Sequence, residues 1–291
     1  MKIKTFSIVA GSEACIARCP FCVSKMTPTQ GITTKEPEIN LRNFHIAAKL
    51  AKQSGADTAM ITSKGEPTLF PDQVSKYIDA LKDYDFPFIE LQTNGIPLAE
   101  DHERYDKFVK EWYDAGLTTV AISIVHYDAE KNRQIYLPYK REYIDLPGFI
   151  DYLHNEGLSV RLGCVMLDNH IDSPSELEKL VDFAIKNKVE QLTIRPVNKP
   201  GHSRNQEVYD WTLNNYLPEK KLEDITGYLN DNGIRLLDLP HGGTIYDLHG
   251  QNVCLTNSLT RNDDPENMRQ IIFFPDGHIR YDWEHTGAIL I

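Results

Sequence analysis

The chain has 291 residues, 41% of them hydrophobic and 25% charged, enough apolar material for one large core or a core with an appendage. A formal net charge of -11 and a pI near 5.4 exclude a general nucleic-acid binder, whose surface would be basic, and leave room only for a local basic pocket. No apolar run approaches the roughly 20 residues of a membrane helix, and the start Met1-Lys2-Ile3-Lys4-Thr5-Phe6 lacks the features of a secretory leader, so no membrane span and a cytoplasmic location are expected.

Over residues 1–200, short β-rich apolar runs alternate with longer amphipathic ones, which predicts repeated βα units and a parallel sheet. Strands are expected at 4–10, 58–63, 88–93, 119–124, 158–165 and 191–195, with helices at 41–54, 72–82, 103–115, 146–155 and 174–187 between them. Gly55, Gly116 and Gly157 follow three of these helices in the place of a C-cap, and Ser173-Pro174 opens another in N-cap then N1 order. The fold class is α/β: six strands and five helices make a partial (β/α)6 TIM-type barrel over residues 1–197. Such barrels carry their chemistry on the loops after the strands. From 198 the rhythm changes. A polar stretch to 217 precedes a helix at 218–232, a short strand at 236–239 and a loop-rich tail. The tail closes with a hairpin of 270–274 and 278–283 around Pro275-Asp276-Gly277. Residues 198–291 are therefore expected to form a C-terminal α+β extension that covers the barrel mouth.

Three of the five cysteines fall in the loop after the first strand, in the run Cys15-Ile16-Ala17-Arg18-Cys19-Pro20-Phe21-Cys22, while Cys164 and Cys254 are isolated. That distribution is no disulfide framework. Three thiolates at CxxxCxxC spacing can hold three irons of a cubane [4Fe–4S] cluster and leave the fourth iron open to a small ligand. Structural zinc is the alternative, but it asks for four ligands, and neither a second cysteine pair nor a nearby histidine is present.

After the second strand, Ser63-Lys64-Gly65-Glu66-Pro67 combines an acceptor carboxylate with a glycine that permits close backbone approach. Gln92-Thr93-Asn94-Gly95 follows the third strand and reads as a turn. Arg161 interrupts an otherwise apolar strand, which is costly unless an anion pairs it; Glu66, Glu90 or a bound carboxylate would serve. Arg195 ends the sixth strand on the same rim, with Lys199, His202 and Arg204 on the next loop. Cys164 reads as a small core residue. The tail, with His241, Asn257, Arg261, Arg269, Arg280, Tyr281 and Trp283, is polar and aromatic enough for a substrate lid.

The cysteine run, with Phe21 just before its last member, and the loops that follow it in this order resemble the radical S-adenosylmethionine (radical SAM) enzymes over residues 4–197. The resemblance implies one [4Fe–4S] cluster on Cys15, Cys19 and Cys22. S-adenosylmethionine would chelate the open iron and be cleaved reductively to a 5′-deoxyadenosyl radical that abstracts a substrate hydrogen. It implies Gly65, Glu66 and Pro67 at the SAM amine and Phe21, Gln92, Thr93 and Asn94 around its nucleoside. Ser123 and Arg161 would meet its ribose or carboxylate. Two positions depart from the family pattern: Lys64 stands where a glycine is usual, and Val125 where an aspartate often follows Ser123. His126 is expected as a substrate contact or rim residue, Arg195 as a substrate anchor, and Cys254 as a candidate hydrogen-atom donor. The closing hairpin is similar to that of the twitch and SPASM modules and of the molybdenum-cofactor cyclase group, without their auxiliary-cluster cysteines. A flavodoxin- or ferredoxin-type reductant and a small, anionic, nucleotide- or sugar-like substrate are implied. A peptide-modifying enzyme and a non-catalytic iron–sulfur protein are the alternatives.

Overall fold

The computed structural model describes residues 2–199, 201, 203–239, 242–256 and 266–291. Six parallel strands, β1 (Lys2–Val9), β2 (Thr58–Thr62), β3 (Phe88–Thr93), β4 (Thr119–Ile124), β5 (Ser159–Met166) and β6 (Gln191–Pro196), lie side by side in chain order. Between them run the helices α2 (Leu41–Gln53), α3 (Pro71–Leu81), α5 (His102–Asp114), α7 (Leu146–Asn155) and α8 (Pro174–Lys186). The capping chemistry is the one expected. Ser173 accepts from the Glu176 amide at 3.3 Å with Pro174 at the first helical position. Gly116, past the end of α5, holds a φ of 111°, which L side chains avoid.

The expected division at 197/198 falls within one continuous sheet. β9 (Gln251–Thr256) runs parallel along β6, and β10 (Asn267–Phe273) runs parallel along the free edge of β1. The six barrel strands thus become an arc of eight parallel strands in the order β10-β1-β2-β3-β4-β5-β6-β9. β8 (Gly243–Leu248) and β7 (Ile234–Asp238) continue it antiparallel beyond β9, and β11 (Ile279–Arg280) beyond β10. Among the described residues β9 and β10 do not pair, so the barrel is unclosed. Strands from the expected extension thus form part of the barrel's own sheet. The reason is apolar burial: Phe273 of β10 packs edge-on against Phe44 of α2 at 5.3 Å, in a cluster with Phe6 and Tyr77. On the lumen side Ser7 donates to Gln270 Oε1 at 2.7 Å.

Two further differences concern the same region. The polar stretch from 198 contains a helix, α9 (Gln206–Asn214), before α10 (Glu219–Asn232), and the β8–β9 hairpin was not expected. The turn of that hairpin is His249-Gly250, with φ values of 55° and 86°, the pair of positive values that a two-residue hairpin turn of right-handed twist requires.

The lumen explains why this barrel can hold ligands. Ser123, Gly163, Thr193 and Cys254 occupy one register row across β4, β5, β6 and β9. Their neighbours Ile122, Ile124, Leu162, Leu192 and Ile194 are fully buried under the helices. A filled TIM barrel packs its axis with bulky branched residues. Small side chains stand here instead, and all four keep part of their surface exposed.

Candidate active site

The cysteine loop leaves the top of β1 and is tied down on both sides. The Glu66 amide donates to the Ala14 carbonyl at 2.9 Å, and a Cβ on Gly65 would stand only 2.1 Å from that same oxygen. Glycine is therefore obligatory where the second loop passes beneath the first. On the other side the Arg18 amide donates to Tyr136 O at 2.8 Å and the Tyr139 hydroxyl to Ile16 O at 2.5 Å. Both tyrosines lie in the segment after β4, from α6 (Ala129–Tyr136) onward. Cys22 N-caps the single-turn helix α1 (Val23–Met26).

The three thiols share one electrostatic neighbourhood. Cys15 keeps an exposed face, and partial desolvation by the loop raises its pKa, with the charges of Glu66 and Cys22 adding to the rise. Burial raises Cys19 further, with Cys22 and Cys15 contributing. Thiols bind a metal centre as thiolates, so cluster binding at this loop would release protons. No three His, Cys, Asp or Glu side chains among the described residues converge tightly enough for a single metal ion. Three thiols on one short loop are the donor set that a cubane with one open iron takes. Asn94 Nδ2 donates toward Cys15 Sγ at 3.7 Å, a contact of the kind that tunes a ligating sulfur.

In the second loop, Glu66 is wholly enclosed. Its Oε1 accepts from the Thr68 amide (3.1 Å), the Thr68 hydroxyl (2.7 Å) and the Thr93 hydroxyl (2.6 Å). Its Oε2 accepts from the Asn94 amide at 2.9 Å. Burial raises its pKa, and these four donors pull against that rise. Glu66 is thus a bracket that locks the loops after β2 and β3 together. Pro67 starts the short turn behind it. Lys64 is buried, with its Nζ donating to Thr27 Oγ1 at 2.7 Å and facing the Trp283 ring at 5.8 Å; burial lowers its pKa to about 8.

Deeper in the lumen, Arg161 and Glu90 form an ion pair, and Gln92 Nε2 donates to the same Glu90 oxygen at 3.2 Å. Of the two carboxylate side chains expected as partners for Arg161, Glu90 is the one it meets. Arg195 keeps an exposed face, yet desolvation by the surrounding barrel lowers its pKa, and the neighbouring Arg161 charge adds to the effect. Arg269 of β10 joins them: burial, Arg195 and Arg161 together bring it down to about 10. Cys254 is raised by burial and lowered by Arg161, which places the thiol in the same space. Ser123 faces that space from β4.

Other expected residues lie elsewhere. Phe21 packs between Tyr136 (6.5 Å) and Trp211 (6.1 Å), so its ring is engaged by protein neighbours. His126 is buried against α8 rather than beside the cysteines: its Nδ1 accepts from the Asp128 amide at 2.9 Å and its Nε2 lies 3.4 Å from Glu176. Cys164 is fully buried on the helix side. Lys199 stacks over Tyr216 at 3.9 Å. In the tail, Arg280 donates to Thr286 O at 2.8 Å and lies over Phe274, against which Trp283 also packs. His202, His241, Asn257 and Arg261 fall outside the described residues. Sequence reasoning did not place Arg269 in the lumen. Its signal was a charged residue leading into an apolar strand, legible only once that strand was known to line the barrel.

The family model of the Radical SAM superfamily matches residues 9–184. The molybdenum cofactor biosynthesis protein moc-5 of Caenorhabditis elegans is 25% identical over 248 residues, 84% of this chain and 37% of that protein. The GTP 3′,8-cyclase of Shewanella denitrificans is 27% identical over 124 residues, 43% of this chain and 34% of that protein. Among solved structures, SuiB of Streptococcus suis bound to S-adenosylmethionine superposes with a TM-score of 0.61 at 16% identity, covering 97% of this chain and 60% of SuiB. The chain thus spans well under half the length of these two curated relatives.

Proposed function

This chain belongs to the radical SAM superfamily, and on that premise we propose that it acts on a small anionic substrate held in the barrel lumen. The family uses a [4Fe–4S] cluster and S-adenosylmethionine, which together supply the carbon-radical chemistry; the protein supplies placement and exclusion of water. Cys15, Cys19 and Cys22 hold the cluster. Glu66 acts at one remove by clamping Thr93 and Asn94, so that Asn94 stays against Cys15. Gly65 lets the second loop sit directly under the cysteine loop. Gln92, Ser123 and the small residues of the Gly163 row leave space for S-adenosylmethionine and substrate side by side. A flavodoxin- or ferredoxin-type protein delivers the electron.

The observation that carries the substrate class is the set of guanidiniums of Arg161, Arg195 and Arg269, brought by β5, β6 and β10 within electrostatic reach of one another inside the barrel. Glu90 pairs Arg161, and an anion entering the lumen would relieve the repulsion among the three guanidiniums. The likeness to a GTP 3′,8-cyclase supports a nucleotide-like anion.

The test is anaerobic reconstitution with iron and sulfide, then dithionite and S-adenosylmethionine with and without GTP, reading 5′-deoxyadenosine by mass spectrometry. We expect its formation, its loss in Cys19→Ala, and a weaker dependence on the added anion in Arg269→Met. Product that persists in Cys19→Ala refutes the ligand assignment. Turnover in Arg269→Met that responds to anionic and neutral substrates as the parent does refutes the anionic one.

A further inference from the structure

Lys64 is only 4% exposed, and a buried ammonium requires something to offset its desolvation. Among the described residues its partners are the Thr27 hydroxyl and the face of Trp283. Neither is an anion, and among the described residues Lys64 forms no ion pair with a carboxylate. The charges that face it are Cys22 and Glu13, which favour the ammonium, and Arg204, which opposes it. Glu13 is exposed at the surface and therefore solvent-screened.

Its location makes Cys22 the relevant charge. Thr27 closes the helix that Cys22 opens: the Thr27 hydroxyl accepts from Lys64 and donates to Val23 O at 2.9 Å. The ammonium therefore bonds the hydroxyl that reaches back to Val23, the residue after a cluster cysteine, in a buried site where little water screens it. A cubane held by three thiolates carries net negative charge, and reduction adds one more electron.

We propose that Lys64 is the charge partner of the iron–sulfur cluster, a positioning residue whose buried ammonium stabilises the reduced state and raises the reduction potential. The inference rests on the reading that Cys15, Cys19 and Cys22 hold the cluster. It assigns a role to the lysine that replaces a glycine in the loop after β2. Net charge and burial are among the levers that set cluster potentials. Trp283 and Thr27 fix the ammonium in place, so the tail of the chain acts on the cluster through Lys64.

The experiment is an EPR-monitored redox titration of the reconstituted full chain, comparing parent, Lys64→Met and Lys64→Arg, with iron content measured for each. In Lys64→Met we expect the equilibrium constant for cluster reduction to fall at least tenfold, a midpoint lower by 59 mV for a one-electron couple. Lys64→Arg, which keeps the charge, should hold most of the parent potential. If Lys64→Met fails to assemble, Lys64→Gln is titrated against the same criterion. A neutral variant with full iron content and an unchanged midpoint overturns the proposal. A parent chain that assembles no cluster on these cysteines overturns instead the ligand reading beneath it.

Discussion

Glu66→Gln is the sharpest probe of how the site is held together. The carboxylate receives one backbone amide on each oxygen, that of Thr68 on Oε1 and that of Asn94 on Oε2, together with two threonine hydroxyls. Hydroxyls can rotate to accept from an amide group; backbone N–H groups cannot. Whichever way the glutamine is turned, its NH2 therefore faces a buried backbone donor. One unsatisfied buried N–H costs about 1–3 kcal/mol, and a lost charge-assisted bond adds a comparable amount. The substitution, isosteric as it is, should destabilise the chain by about 3 kcal/mol. Urea unfolding with linear extrapolation measures it directly. The Asn94 contact with Cys15 should loosen as well, seen as lower iron retention after reconstitution. A change within about 0.5 kcal/mol, the range of an ordinary surface substitution, would refute the bracket.

Gly65→Ala drives a methyl group to within 2.1 Å of the Ala14 carbonyl; overpacking of this kind costs about 1–3 kcal/mol, and because the obstacle is backbone the cysteine loop must shift, so iron incorporation should fall with stability. His126 accepts a backbone amide on Nδ1 and is driven by burial from 6.5 down to about 4. The folded chain keeps it neutral while the unfolded chain protonates it, so its contribution is complete above pH 6.5 and is lost as pH falls towards 4, by up to about 3 kcal/mol. His126→Asn, which restores an acceptor for Asp128, should flatten stability across that window; an unaltered slope in pH-dependent unfolding would count against the assignment. Arg161→Met strands the Glu90 carboxylate, whose side chain is 8% exposed, and should cost about 3 kcal/mol, with part of the loss recovered in the Arg161→Met/Glu90→Gln double variant. A double-mutant cycle with coupling near zero would show the ion pair to be idle.

The chemistry-bearing loops were legible from sequence because each is local. Three cysteines within eight residues stay together in any fold that keeps the loop, and Gly65-Glu66 and Thr93-Asn94 announce themselves as turns at strand ends. The six βα units were legible for the same reason, since amphipathic periodicity and capping residues act over one or two turns of chain. What escaped was non-local. The tail reads as a lid because its strands are short and interrupted by polar residues, and nothing near residue 270 tells it to pair with residue 5. Glu66 reads as a ligand contact because a lone carboxylate in a loop gives no sign that four donors will close on it.

By itself the sequence determined that three cysteines share one loop after the first strand and that βα units follow in parallel order, consequences of spacing and periodicity over a few residues; the class of chemistry came from the resemblance those loops carry. Only the tertiary structure decided that Arg161 pairs with Glu90 across 71 positions, that Ser7 meets Gln270 across 263, that Lys64 is buried against Thr27, and that Arg269 comes within electrostatic reach of Arg161 and Arg195. Those contacts depend on which sheet edges remain open after the local units have formed, and on where Phe273 finds apolar surface to cover it, conditions that exist only in the assembled barrel.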